Sequence, residues 1–360
     1  MPPDYLLKAK EFERVFVRKE GFGNLRQQAV DGHLGELCNR LTCWRVFLGL
    51  FPETGSLQDW AEAATSYRSD YSQLCEELQS VPTSDQDLTI NNPLSSAQSN
   101  PWNSFHQDNE LRERIRMDIE RTYQERPLFQ HEEIQNMLTR ILLIWAKKHP
   151  ELGYKQGMNE LLAIVMFIAF CEHCPREVEV SEEAEESLRV LNDPLSLEAD
   201  VFTLFNKVMT LGVSDLFNPV LKTTQRPAKN LFSWDHEADK NSLINQDKSQ
   251  EAGVSLVLRR CHRIHHRFLQ AIDLDLYRHL EAQAVEPQMY LQRWLRCLLS
   301  RELTLAHTLV AWDAMFAALG LGIENHNEAL TGPLSASGEV VLLDFICVAM
   351  LVFVRRFCEY

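Results

Sequence analysis

Apolar residues in this chain return every three or four positions almost from end to end, and nowhere do they alternate convincingly between hairpin turns. Leu34, Leu37, Cys38, Leu41 and Trp44 keep that spacing and run on through Val46-Phe47-Leu48. So do Ile134, Met137, Leu138, Ile141, Leu142 and Trp145, and later Val257, Cys261, Ile264 and Phe268. A period near 3.6 builds helices with one apolar stripe and leaves no room for a sheet. The expected fold class is therefore all-α.

Punctuation divides the pattern into elements. Gly32 precedes the first core helix, and Gly49 with Pro52 follows it. Trp60 to Leu78 reads as a second helix, and Glu110 to Arg121 as a third with Leu111, Ile115 and Ile119 on one stripe. Glu132 to Lys148 ends in Lys147-Lys148-His149-Pro150, cations at a helix C-terminus followed by a residue that cannot continue it. After a loop from Pro150 to Gly157, Met158 to Phe170 is nearly all apolar, which implies burial on every side. Leu303 to Phe316 and Val340 to Phe357 are further core helices, and Trp44, Trp145, Trp294 and Trp312 are assigned to the core. Three stretches break the pattern. Residues 81–103 hold Pro82, Pro93 and Pro101 among polar residues and read as a loop or extended arm, not a helix. Residues 175–193 carry six glutamates and read as a solvated, mobile insertion, and 225–251 as a second flexible one. Core-type helices lie on both sides of each. The expectation is one domain over 30–360, preceded by a flank at 1–29.

Charge and cysteine usage exclude several functions. A formal net charge of -15 argues against a nucleic-acid footprint and against generic adhesion to anionic lipid. Nine cysteines, an odd number without a framework spacing, indicate a reducing, cytosolic setting. Cys171-x-x-Cys174 has no second pair to answer it and ends an apolar run, so it reads as structural. His262 and His266 sit one turn apart, as a metal could use, but no metalloprotease-type carboxylate accompanies them. With Arg259, Arg260, Arg263 and Arg267 they read as a solvated basic face, and no metal is expected. No signal-peptide core follows Met1. A spanning helix needs ~20 apolar residues. Leu161 to Cys171 is shorter, and Val340 to Val354 carries Asp344. The chain stops at Tyr360 directly behind its last helix, as a domain cut from a longer protein would.

Two short segments remain that packing does not explain. One is Ile115-x-x-Asp118-x-x-Arg121-Thr122, the other Tyr154-x-Gln156-Gly157. Asp118 lies within side-chain reach of Arg121 on a helix and is expected to aim its guanidinium. Gly153 and Gly157 bracket the second segment and permit a tight turn, which Tyr154 would fix. Together with Arg40-x-x-x-Trp44, Arg293-Trp294 and Trp312-Asp313 in order, these segments make the chain resemble the TBC domain, an all-helical module whose characterised members are Rab GTPase-activating proteins. The resemblance spans residues 30 to 357. One departure is Gln124, where the family usually has proline two positions after the threonine.

The resemblance implies a single large helical domain with polar insertions that accelerates GTP hydrolysis on a GTP-bound Rab. Arg121 would be an arginine finger and Gln156 a glutamine finger, supplied in trans, with Asp118, Thr122, Tyr154 and Gly157 supporting them. A guanidinium can bridge phosphate oxygens with a planar fork of donors. An amide can donate and accept at once, so it can orient the attacking water. Such arginine fingers raise hydrolysis by ~10³ to 10⁵, roughly 4 to 7 kcal/mol off the barrier. The chain itself is expected to hold no cofactor, since GTP and Mg²⁺ belong to the partner and no G-x-x-x-x-G-K-[ST] loop occurs. The implied location is cytoplasmic, with peripheral recruitment to endomembranes left open. The alternative is a catalytically silent Rab-binding or membrane-trafficking interaction module of the same fold. A purely structural scaffold would leave the paired motifs without a use.

Overall fold

The computed structural model describes residues 9–37, 39–78, 101–173, 181–218, 255–319 and 341–357. Among them there are helices and connecting turns and no strand. The helices are α1 (Ala9–Phe12), α2 (Leu25–Val30), α3 (Leu34–Leu37), α4 (Arg40–Phe47), α5 (Leu57–Leu78), α6 (Pro101–Glu120), α7 (Glu132–Lys148) and α8 (Met158–His173). They continue as α9 (Glu182–Leu191), α10 (Leu197–Val208), α11 (Leu256–Arg263), α12 (Gln270–Ile272), α13 (Leu274–Ala282), α14 (Gln288–Arg296), α15 (Leu305–Ala318) and α16 (Val341–Val354).

Helix α8 is the centre. Every residue of it except Phe170 is buried, as the unbroken apolar run Leu161–Cys171 at its middle requires. It packs against α4, α6, α7 and α10. Its two polar ends therefore need partners inside the protein. Near the C-terminal end, His173 and Asp200 of α10 are joined at 2.8 Å. Arg45 and Arg68 reach the same carboxylate, each at 2.8 Å. Burial alone would raise the Asp200 pKa, but Arg45, His173 and Arg68 outweigh it and hold the carboxyl well below its ordinary range. Arg45 and Arg68 also donate to the Leu191 carbonyl, at 3.0 and 3.1 Å, and so close the last turn of α9.

The R-x-x-x-W and W-D landmarks prove to be halves of one contact. Arg40 Nε and Trp44 Nε1 each donate 2.8 Å to the buried Asp313 carboxylate, across more than 260 residues of sequence. Trp312 turns the other way and donates to the Leu298 carbonyl at 3.0 Å. The Trp44 and Trp312 rings lie 5.8 Å apart, and Phe316 meets Trp44 edge-on at 5.2 Å. Trp44, Trp145 and Trp312 are fully buried, whereas Trp294 lies half-buried at the core edge against Tyr290.

Several expectations need correcting. The first core helix is broken, because Asn39 is extended between α3 and α4. Residues 9–29, expected as a flank, contribute Phe12, Val15, Phe16, Leu25 and Ala29 to the core. Helix α6 begins at Pro101, inside the stretch read as an arm; proline at the first helical position starts a helix without wasting an N–H. The acidic stretch is not simply a solvated insertion. Ser181 caps α9 through Ala184 N, and Ala184, Leu188 and Leu191 form a buried stripe beneath the glutamates. The arginine cluster is not a solvated face either. Arg260 and Arg263 donate to Asp344 at 2.6 and 3.1 Å, and Asp344 is wholly buried on α16. Residues 81–100 of the arm, 175–180 of the acidic stretch and all of 225–251 lie outside the described residues, as does Cys174.

Candidate functional site

Helix α6 packs along α7 and carries Asp118 in its last turn. Ile115 and Ile119 anchor it to the core. Arg121 follows immediately after the helix ends at Glu120, with its side chain 56% exposed. Thr122 then turns inward, and Tyr123 takes a left-handed conformation at φ 45°. Gln124, the residue in the family's proline position, donates from Nε2 to the Glu120 carbonyl at 2.8 Å. It thus satisfies a carbonyl that the helix end leaves free.

The second motif sits in the turn between α7 and α8. Leu152 N and Gly153 N both donate to the His149 carbonyl, at 3.1 and 2.8 Å. Met158 N donates to the Lys155 carbonyl at 3.2 Å. Gly157 has φ 104°, a conformation costly for any residue with a Cβ. A methyl there would meet Phe217 and Cys297 only at ordinary contact distance, so backbone conformation, not space, calls for glycine. Lys155 and Gln156 project outward and are exposed. The Gln156 amide makes no hydrogen bond to the described residues.

A set of hydrogen bonds, closed into a ring through the backbone from Tyr154 to Gly157, joins the two motifs. Arg121 Nη2 donates to Asp118 Oδ1. Tyr154 Oη donates to the other carboxylate oxygen, Oδ2, at 2.6 Å. The Thr122 hydroxyl donates to the Asp118 backbone carbonyl at 2.7 Å. Asn159 Nδ2 donates to that hydroxyl oxygen at 2.8 Å. Asn159 Oδ1 accepts from Gly157 N at 2.9 Å and faces Tyr154 Oη at 3.3 Å. Burial, and then the neighbouring Asp118 carboxylate, push the Tyr154 phenol well above its ordinary pKa, so it stays a donor at any physiological pH. Asp118, Thr122, Tyr154 and Asn159 are buried, while Arg121 and Gln156 project from the same ring into solvent. Sequence reading found every member of this ring except Asn159. Its position two residues after Gly157, just before the apolar run Leu161–Phe170, was the available signal.

The histidine cluster is a separate place. The His262 and His266 rings stack with centroids 5.2 Å apart, so the pair read at helical spacing faces itself. Among the described residues, His265, His266 and Glu281 could hold a metal, their ligand atoms all lying within 4.8 Å of one another. Both ring nitrogens of the buried His265 already have partners, Tyr290 Oη at 2.7 Å and Glu281 Oε1 at 3.0 Å. It reads as a satisfied core histidine.

Comparison with known proteins gives this helical body its family. The chain belongs to the RabGAP-TBC family: the model of the Rab-GTPase-TBC domain matches residues 38–236 and 242–331. It is similar to TBC1 domain family member 5 of Homo sapiens, 33% identical over 356 residues, which cover 96% of this chain and 40% of that protein. GTPase-activating protein GYP1 of Saccharomyces cerevisiae is 28% identical over 201 residues, 55% of this chain and 26% of that protein. The solved Ypt/Rab-GAP domain of Gyp1p shares the fold at a TM-score of 0.60 and 20% identity, over 96% of this chain and 84% of that one. The chain spans about two fifths of the length of the human relative. No described helix is long and apolar enough to cross a membrane.

Proposed function

We propose that this chain accelerates GTP hydrolysis on a Rab-family small GTPase, with Arg121 and Gln156 entering the partner's nucleotide site. One observation carries the reading: two exposed side chains of complementary chemistry stand on a single buried hydrogen-bond ring. Family membership supports it, as does the activity that the name of GTPase-activating protein GYP1 states. GTP and Mg²⁺ would belong to the partner.

Hydrolysis spreads negative charge over the phosphate oxygens and needs a water held in line. Asp118 engages one Nη of Arg121 and leaves the remaining guanidinium donors to the phosphate. Tyr154 fixes the carboxylate that fixes the arginine, so fewer rotamers are lost when the partner docks. The turn closed by Gly153 and Gly157 holds Gln156 outward, where its amide can accept from the water and donate to a phosphate oxygen. We place the working chain at the cytoplasmic face of endomembranes, recruited through its partner, since its charge does not favour anionic lipid.

Single-turnover GTP hydrolysis across a panel of purified Rabs tests this, with wild type, Arg121→Ala and Gln156→Ala side by side. Acceleration by wild type that both variants lose is the expected result. Binding to a GTP-loaded Rab without acceleration would assign the chain to the silent, Rab-binding class instead.

A further inference from the structure

We infer that Asn159 is a positioning residue that couples the two fingers, tying the loop of the first to the turn of the second. The inference rests on the proposed activity. Asn159 lies outside both motifs yet bonds to each: to Thr122, next to Arg121, and to Gly157, next to Gln156.

Its orientation is forced. The Thr122 hydroxyl gives its own proton to the Asp118 carbonyl, so toward Asn159 its oxygen can only accept. The Gly157 amide can only donate. Nδ2 must therefore face Thr122 and Oδ1 must face Gly157. Aspartate has the same shape but, when ionised, no donor for Thr122, and it would stand near the Asp118 carboxylate. Alanine leaves the Gly157 N–H and the Thr122 oxygen without partners in a buried site, since Asn159 is only 3% exposed. In either variant the arginine loop and the glutamine turn keep only the Tyr154–Asp118 bond between them, while Arg121 and Gln156 themselves remain.

A misplacement of about 1 Å at reacting groups can lower a rate ~100-fold. Asn159→Ala is therefore expected to lower the single-turnover rate ~10- to 100-fold. The GTPase concentration giving half-maximal rate should change little, because the docking surface is intact. Asn159→Asp supplies the sharper readout. Burial and the Asp118 carboxylate raise the pKa of the new carboxyl, and its protonated form can donate to Thr122. Its rate relative to wild type should recover as pH is lowered from 8 toward 5.5, which a general loss of packing would not produce. Equal rates for wild type and Asn159→Ala, or a pH-independent ratio for Asn159→Asp, would overturn the coupling while leaving the activity intact. If wild type accelerates no Rab, the proposed activity fails by itself, and amide hydrogen exchange still decides the structural part. Asn159→Ala should then speed exchange in both Arg121–Tyr123 and Lys155–Gly157. A change confined to the Gly157 side would sink the idea that one side chain holds both.

Discussion

Glu172 is buried on α8, where its Oε1 accepts from Leu41 N at 2.9 Å and so caps the N-terminus of α4. Its other oxygen has no hydrogen-bond partner among the described residues. Burial pushes the carboxyl from 4.5 up to about 7; the Leu41 amide and the nearby Arg45 and Arg40 only partly offset it. A shift from 4.5 to about 7 corresponds to about 3 kcal/mol between the two protonation states. The folded chain holds this proton more tightly than the unfolded chain does. Its stabilising effect is therefore complete below pH 4.5, declines as pH rises toward 7, and is gone above that. Asp313, raised by burial to about 6 despite Arg40, changes wild-type stability in the same direction. Comparison with Glu172→Gln isolates the glutamate, because glutamine keeps the acceptor for Leu41 and does not ionise. Urea unfolding of both proteins at several pH values between 4.5 and 8 is the assay. The variant should gain on wild type by about 3 kcal/mol across that range, whatever constant offset the substitution introduces. A difference that stays flat with pH would show that Glu172 titrates as an ordinary surface carboxyl, and the argument from burial would be wrong.

Other substitutions separate scaffold from site. Arg121→Ala should abolish most acceleration, by ~10³ or more, yet leave the melting temperature unchanged, because its side chain is mostly exposed; a sharp drop in melting temperature would refute this. Asp200→Ala should destabilise by about 3 to 5 kcal/mol, since it strands the fully buried Arg45 without a counter-charge; denaturant unfolding measures it. Trp44→Ala should cost about 3 to 5 kcal/mol by the same measurement, and unchanged stability would contradict its place in the core.

How much of this was readable in advance depended on whether the signal was local. Helix α7 was expected over Glu132–Lys148 and is found there, because both its stripe and its stop signal lie within the helix. The start of α6 escapes the pattern because Trp102 and Phe105 are the only apolar side chains besides proline in residues 101–109, and Pro101, which reads as a breaker, is an initiator. The stripe of α9 was hidden among its glutamates, although Ala184, Leu188 and Leu191 keep helical spacing. Arg260 and Arg263 looked solvated because their partner, Asp344, is more than 80 residues away. Local periodicity cannot report such pairings.

The same distinction divides the motifs. Arg40, Trp44, Trp312 and Asp313 are spent on one another inside the core, so their order along the chain marks the fold and carries no chemistry to the surface. The arginine and glutamine motifs are built the opposite way. Their buried members, Asp118, Thr122 and Tyr154, saturate one another with Asn159, and each motif leaves one long polar side chain exposed. The Gln156 amide bonds to none of the described residues, and Arg121 gives one donor to Asp118 while its side chain stays mostly exposed. Their exposure is therefore better explained by a partner than by the stability of this chain, and substitutions at Arg121 and Gln156 should be felt in the rate of that partner's reaction before they are felt in the fold.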